Sequence, residues 1–159
     1  MTMISVEVAK SHLRVVGNDE DADIELKLEA AEQSAVSYLN RNVYPDKVAL
    51  EAAIEAAPAA FAEARQEQLA AMAAAALLKD CDERAMAKLA AAERWSTARL
   101  AGIHTHRGIV INSAIKAAIL LIVGHLYENR EDVVVGLSVA QLPLSATSLL
   151  RPHRIGVPL

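Results

Sequence analysis

The residues that could do chemistry are few and scattered. His104 and His106 form a His-x-His pair, a pattern used in metal sites only where further ligands complete the shell. No Asp, Glu or Cys pattern recruits His12, His125 or His153 to it, so the pair reads as part of a surface loop and no metal is expected. Cys81 is the single cysteine. A nucleophilic thiol needs a lowered pKa, and the flanking carboxylates Asp80 and Asp82 act in the opposite direction. A structural cysteine is expected, and one cysteine excludes both an intrachain disulfide framework and a Cys-rich zinc site. Ser, His and Asp occur in no motif that would bring them together, and no glycine pattern suits a phosphate. The residues therefore point to no catalytic group and no cofactor, and the chain is not expected to be an enzyme.

Two charged stretches remain. Tyr127-Glu128-Asn129-Arg130-Glu131 ends an apolar run. Its plain reading is an amphipathic helix end with a core tyrosine and solvated charges. The functional reading is an intersubunit contact in which Arg130 makes a bidentate bond to a neighbour's carboxylate, such as Glu128 or Glu131. Arg151, His153 and Arg154 form a basic cluster near the end of the sequence, read either as a solvated tail or as a contact surface.

The elements that must position these residues are helical. The chain has 159 residues, the size of one domain, with 53% apolar and only 3% aromatic residues. Alanine supplies 32 of the apolar positions. That composition favours helix over strand and is too hydrophobic for intrinsic disorder. The net charge of −4 is the wrong sign for a general electrostatic nucleic-acid binder. Glu7, Lys10, His12 and Arg14 interrupt the apolar start as a signal peptide would not. The longest strongly apolar run, Ala117–Val123, is far short of the roughly 20 residues that span a bilayer. A protein made in a reducing cytosol, with no membrane partner, is expected.

Ser5 is a candidate N-cap for a short helix ending at Gly17-Asn18. Asn18 or Asp19 then caps a second helix with Asp21 and Asp23 in its first turn, where carboxylates oppose the positive end of the dipole. Ile24, Leu28, Ala31, Ala35 and Tyr38 make one apolar stripe, stopped by Asn40-Arg41-Asn42 and Pro45. Residues 46–101 differ in kind, with 22 alanines. Pro58 is expected to divide them into Asp46–Ala57 and a long helix Ala59–Ala101 ended by Gly102, with Lys79–Glu83 a candidate break that would make a helical hairpin. The apolar positions Leu69, Met72 and Ala76, and then Met86, Leu89 and Ala92, keep partial spacing, but the heptads are not sustained. Residues 102–112 read as a loop with one short strand. Asn112 or Ser113 caps a helix Ala114–Arg130 with two apolar stripes, Ile115-Ile119-Ile122-Leu126 and Leu120-Val123-Tyr127, a circumference that subunit contacts could cover. Residues 133–140 are β-prone, and Ser145 caps a short helix to Leu150. The fold expected is all-α: a small helical bundle, an alanine-rich helical insertion over 46–108, and at most a short β-hairpin around 109–111 and 133–140.

Two further stretches are taken together. The first is Ile4-Ser5-Val6-Glu7-Val8-Ala9-Lys10-Ser11-His12-Leu13-Arg14-Val15 with the acidic start Asn18-Asp19-Glu20-Asp21-Ala22-Asp23-Ile24. The second runs from Ile115 through Tyr127-Glu128-Asn129-Arg130-Glu131, followed by Leu142-Pro143-Leu144 and Leu149-Leu150-Arg151-Pro152-His153-Arg154. In combination they resemble the head–tail connector, or adaptor, proteins of long-tailed double-stranded DNA bacteriophages and prophages. The resemblance covers about 1–45 and 109–154, and family members usually have a shorter link between. Ser11 stands where an acidic residue or alanine is common, and His153 where an aromatic is common.

The resemblance implies a virion protein of the neck, made in the bacterial host cytoplasm. It implies a homo-oligomeric ring of roughly a dozen subunits beneath the portal protein, a downstream connector, stopper or tail protein docked to it, and double-stranded DNA passing through the lumen. On that reading Tyr127, Glu128, Arg130 and Glu131 lie at a subunit interface, and Arg151, His153 and Arg154 touch portal or DNA. The alternative is a small helical DNA-associated packaging or regulatory protein using the basic last third, residues 102–159, whose side chains sum to +2.

Overall fold

A computed structural model of the chain describes residues 2–129 and 145–156. It is almost entirely helical and divides into two compact units, Met1–Asp46 with Ile109–Leu159, and Lys47–Gly108.

The first unit is a small bundle. Helix α1 is Val6–Leu13, with Ser5 in the extended conformation of an N-cap although its hydroxyl makes no cap bond. The helix stops before Gly17: Arg14 takes the left-handed conformation (φ 58°), and the Val15 N–H returns to the Lys10 carbonyl at 3.1 Å. Helix α2, Asp21–Leu39, starts after Glu20 rather than Asn18 or Asp19, with Asp21 and Asp23 in its first turn. Asn40 ends it, also left-handed (φ 55°), a conformation asparagine tolerates better than most residues. Ile24, Leu28, Ala31 and Ala35 are fully buried as the stripe requires, while Tyr38 is half-buried and Leu39 takes the last core position.

Helix α5 is Ser113–Glu128, capped by Asn112, whose Oδ1 accepts the Ile115 N–H at 2.9 Å. Its buried residues are Ile115, Ala118, Ile119 and Val123. Ile122, Leu126, Leu120 and Tyr127 are half-buried and Leu121 is exposed, so one side of α5 is covered and the other is not. Helix α6, Ala146–Leu150, follows Ser145 and runs into a single 3-10 turn, Arg151–His153. Leu150 and Ile4 close the core formed by α1, α2 and α5.

The short strand expected within 102–112 is present, and it finds its partner far back in the chain. Strand β1, Val43–Tyr44, lies parallel to β2, Ile109–Val110, with Val43 opposite Ile109 and Tyr44 opposite Val110. A parallel pair needs a long crossover, and the whole 47–108 segment supplies it. Residues 133–140, the other half of the expected hairpin, lie outside the described residues.

The second unit is a helical hairpin: α3, Lys47–Ala76, and α4, Cys81–His106. Pro58 does not divide it, and Gly102 does not end it; both sit inside helices. A mid-helix proline costs about 3 kcal/mol and glycine about 1. Ala56, Ala57, Ala59 and Ala60 surround Pro58 with the best helix formers, and α4 packs along α3 on both sides of it. The break comes at 77–80, where the Asp80 side chain accepts the Asp82 and Glu83 N–H groups, both at 2.9 Å. Arg84 clamps the turn from the other side, donating from Nε (3.0 Å) and Nη2 (2.7 Å) to the Leu78 carbonyl.

The seam between α3 and α4 is built from small residues. Ala57, Phe61, Ala64, Gln68, Ala71 and Ala75 alternate at intervals of four and three along α3, a heptad stripe written mainly in alanine whose spacing Leu78 continues in the turn beyond. Ala87, Ala91, Trp95, Ala98 and Gly102 run along α4. One aromatic pair crosses the seam, Phe61 and Trp95, with ring centroids 4.8 Å apart and planes tilted by 49°. The large apolar residues Leu69, Met72, Leu77, Met86 and Leu89 face outward instead.

Candidate functional site

His104 and His106 lie in the last turn of α4, on a helix rather than the expected loop, because α4 runs past Gly102. Residues two apart on a helix are about 200° apart around its axis, so the two imidazoles leave on opposite sides. Among the described residues no group of three or more His, Cys, Asp or Glu side chains could hold a metal ion. Cys81, the first residue of α4, is exposed with a free thiol.

Tyr127 is half-buried in the last turn of α5, and its hydroxyl donates to the Glu20 carboxylate at the start of α2. This side chain is therefore engaged within its own chain. Glu128 is exposed at the end of α5. Arg130 and Glu131 lie outside the described residues.

The basic cluster is anchored rather than loose. The Arg154 guanidinium carbon sits 5.0 Å from the centroid of the Tyr38 ring, a cation–π distance. His153 Nε2 is 3.3 Å from Asn112 Nδ2. The Ile155 N–H donates to the Leu39 carbonyl at 3.0 Å, and the Asn40 amide donates to the Ile155 carbonyl at 3.4 Å. These bonds hold the exposed Arg154 near the C-terminal end of α2, where a cation is favoured by the helix dipole, and Arg151 is also exposed. Nearby, burial lowers the Arg41 pKa from its ordinary value, and the guanidinium stays cationic.

Two polar locks in this unit were not read from the sequence. Lys10 is buried, and its ammonium reaches the Asp21 carboxylate at 2.6 Å and Asn18 Oδ1 at 2.8 Å, tying α1 to the start of α2. Glu32 is also buried, and its Oε1 accepts the Met3 N–H at 2.8 Å and the Ile4 N–H at 2.9 Å. The available signal was a lone cation beside Ala9 on the inner side of α1, facing an acidic helix start.

The second unit carries an open apolar cavity of about 530 Å³ near the base of the hairpin. Ala57, Pro58, Phe61 and Ile103 line it, with Arg99, His106 and Arg107 among its walls. The sequence offered no sign of it, since Pro58 and Gly102 read as helix ends.

Among the described residues no helix is long and apolar enough to cross a membrane. Residues 3–80 match the family described as phage gp6-like head-tail connector protein. The matched stretch holds α1, α2 and β1, and it continues past 45 through α3 to Asp80, so the family likeness reaches into the alanine-rich segment. No curated protein and no solved structure matches the chain. The Lys10–Asp21 lock and the Ile24–Leu39 core stripe lie within the matched residues, and over those residues, just under half of the chain, it is similar to the phage gp6-like head-tail connector proteins.

Proposed function

We propose that this chain works as a connector, a homo-oligomeric ring seated beneath the portal, passing double-stranded DNA through its lumen and offering its other face to a downstream connector, stopper or tail protein. The family match over residues 3–80 carries the reading. Two physical features support it. One side of α5, with Leu121 exposed, is left uncovered by the described residues. The net charge of −4 suits a channel wall along which DNA slides without sticking, because like charge disfavours binding.

Within this ring, Glu128, Arg130 and Glu131 serve the subunit interface, with Tyr127 fixing the end of α5 through Glu20. Arg151, His153 and Arg154 present a pinned basic surface to the portal or to DNA. Lys47–Gly108, a compact unit of its own whose first helix falls within the family match, decorates the ring.

Light scattering and electron microscopy of the purified chain, alone and mixed with its portal, test the reading. Ring particles of roughly a dozen subunits are expected. Arg130→Ala should reduce ring yield while leaving the helical circular-dichroism spectrum unchanged. A chain that forms no ring in either setting, and instead shifts DNA as a monomer or dimer, would replace this reading with that of a small DNA-associated packaging or regulatory protein.

A further inference from the structure

The cavity at the base of the hairpin has an apolar floor, Pro58, Phe61 and Ile103, beside two arginines and a histidine, Arg99, Arg107 and His106. Its natural occupant is an apolar side chain flanked by carboxylates, since burying the apolar group removes it from water while the carboxylates meet the guanidinium groups. The first unit displays such a group. Leu26 stands on the outer side of α2 with 66% of its surface exposed. Glu25 and Glu29 lie beside it, both exposed. Ala22 and Ala30, one turn before and one turn after, are also exposed and small enough for a second helix to approach closely.

We propose that Leu26 of one copy inserts into the Pro58–Phe61–Ile103 slot of the next, with Glu29 meeting Arg99. The partner is a second copy of this chain, and the proposal rests on the ring reading given above. Charge complementarity selects it: segment 1–45 sums to −4, and the slot gathers cations around an apolar floor. The topology of the contact agrees. Knob and slot are different surfaces on different units, so the interface is heterologous, the kind that propagates head to tail and forms a ring where the rotation between copies closes, whereas a two-fold dimer pairs one surface with itself.

The full chain is assayed by sedimentation equilibrium and light scattering, with circular dichroism to check that each exposed-site variant keeps its helices. Leu26→Asp, Glu29→Arg and Arg99→Glu should each weaken self-association at least tenfold. Charge placement is tested by rescue. The double variant Glu29→Arg with Arg99→Glu should recover assembly, and so should a mixture of the two single variants, because each copy then offers the surface its neighbour lacks. Wild-type assembly that survives all three single substitutions overturns the inference and leaves the ring reading in place. So does assembly lost in the single variants and recovered neither in the double variant nor in the mixture. A wild-type chain that stays monomeric up to about 1 mM overturns the inference together with self-assembly of the ring.

Discussion

Replacing Lys47–Arg107 by a flexible linker should leave the first unit folded. The geometry of β1 and β2 sets the linker. Tyr44 lies opposite Val110, so a chain leaving at Asp46 must return about four residues' rise, roughly 13 Å, and cross one strand spacing of about 5 Å to re-enter at Gly108. Ten Gly/Ser residues have a root-mean-square span of about 17 Å, which is sufficient. Closing that loop costs about 2 kcal/mol from its length-dependent part. Against this stand Ile24, Leu28, Leu39, Ile115, Ile119 and Val123, all fully buried in the first unit. Each contributes about 1.5–3 kcal/mol on burial, so the core outweighs the closure cost several-fold. Far-ultraviolet circular dichroism should lose more than half of its helical signal, because α3 and α4 hold 30 and 26 residues while α1, α2, α5 and α6 hold 8, 19, 16 and 5. Urea unfolding of what remains should be a single cooperative transition with a smaller denaturant slope, in keeping with the smaller surface exposed. Loss of cooperativity would refute the reasoning. It would mean that α3, which the family match includes, belongs to the folding core.

Three smaller perturbations follow from named contacts. Lys10→Met should cost about 1–2 kcal/mol, less than a fully buried pair because the Asp21 side chain is 39% exposed. A double-mutant cycle with Asp21→Asn should show coupling of at least about 0.5 kcal/mol, and purely additive effects would deny the lock. Asp80→Ala removes the cap on α4 and should cost about 1 kcal/mol, read in thermal unfolding of the intact chain. Ile119→Ala opens the centre of the α2–α5 core and should cost about 2–5 kcal/mol, whereas Leu121→Ala on the exposed side should cost under about 1 kcal/mol; equal costs would mean that α5 is misplaced.

What the sequence disclosed, and what it hid, follows from where side-chain size sits. In the first unit large residues point inward. The Ile24–Leu28–Ala31–Ala35 spacing therefore identifies the buried face directly, and Asn112 marks the start of α5 as its cap. Helix ends were less legible, because Arg14 and Asn40 adopt left-handed conformations that no pattern requires of an arginine and only weakly suggests for an asparagine. The β pairing was hidden altogether. Val43 finds Ile109 across the whole length of the hairpin, and spacing within a segment carries no information about so distant a partner.

The hairpin inverts the usual rule. Its seam is mainly alanine, and Leu69, Met72 and Ala76 on α3 with Met86, Leu89 and Ala92 on α4 are outside, so the spacing anchored on the large residues follows the wrong face. The sustained repeat is at 57, 61, 64, 68, 71, 75 and 78, where alanine predominates. Pro58 and Gly102 misled for a related reason. Each weakens a helix by a few kcal/mol at most, and a long alanine-rich pair of helices packed side by side absorbs that cost. The same substitution of small for large explains the functional surface. Phe61 contacts Trp95 in the seam yet remains 39% exposed, and with Pro58 and Ile103 it leaves an open apolar slot where a fully packed pair of helices would have none. A unit that buries so little on its own has apolar surface to offer a neighbour. Cationic side chains around the slot then restrict which neighbour fits, which is how a decoration on the fold becomes a specific contact.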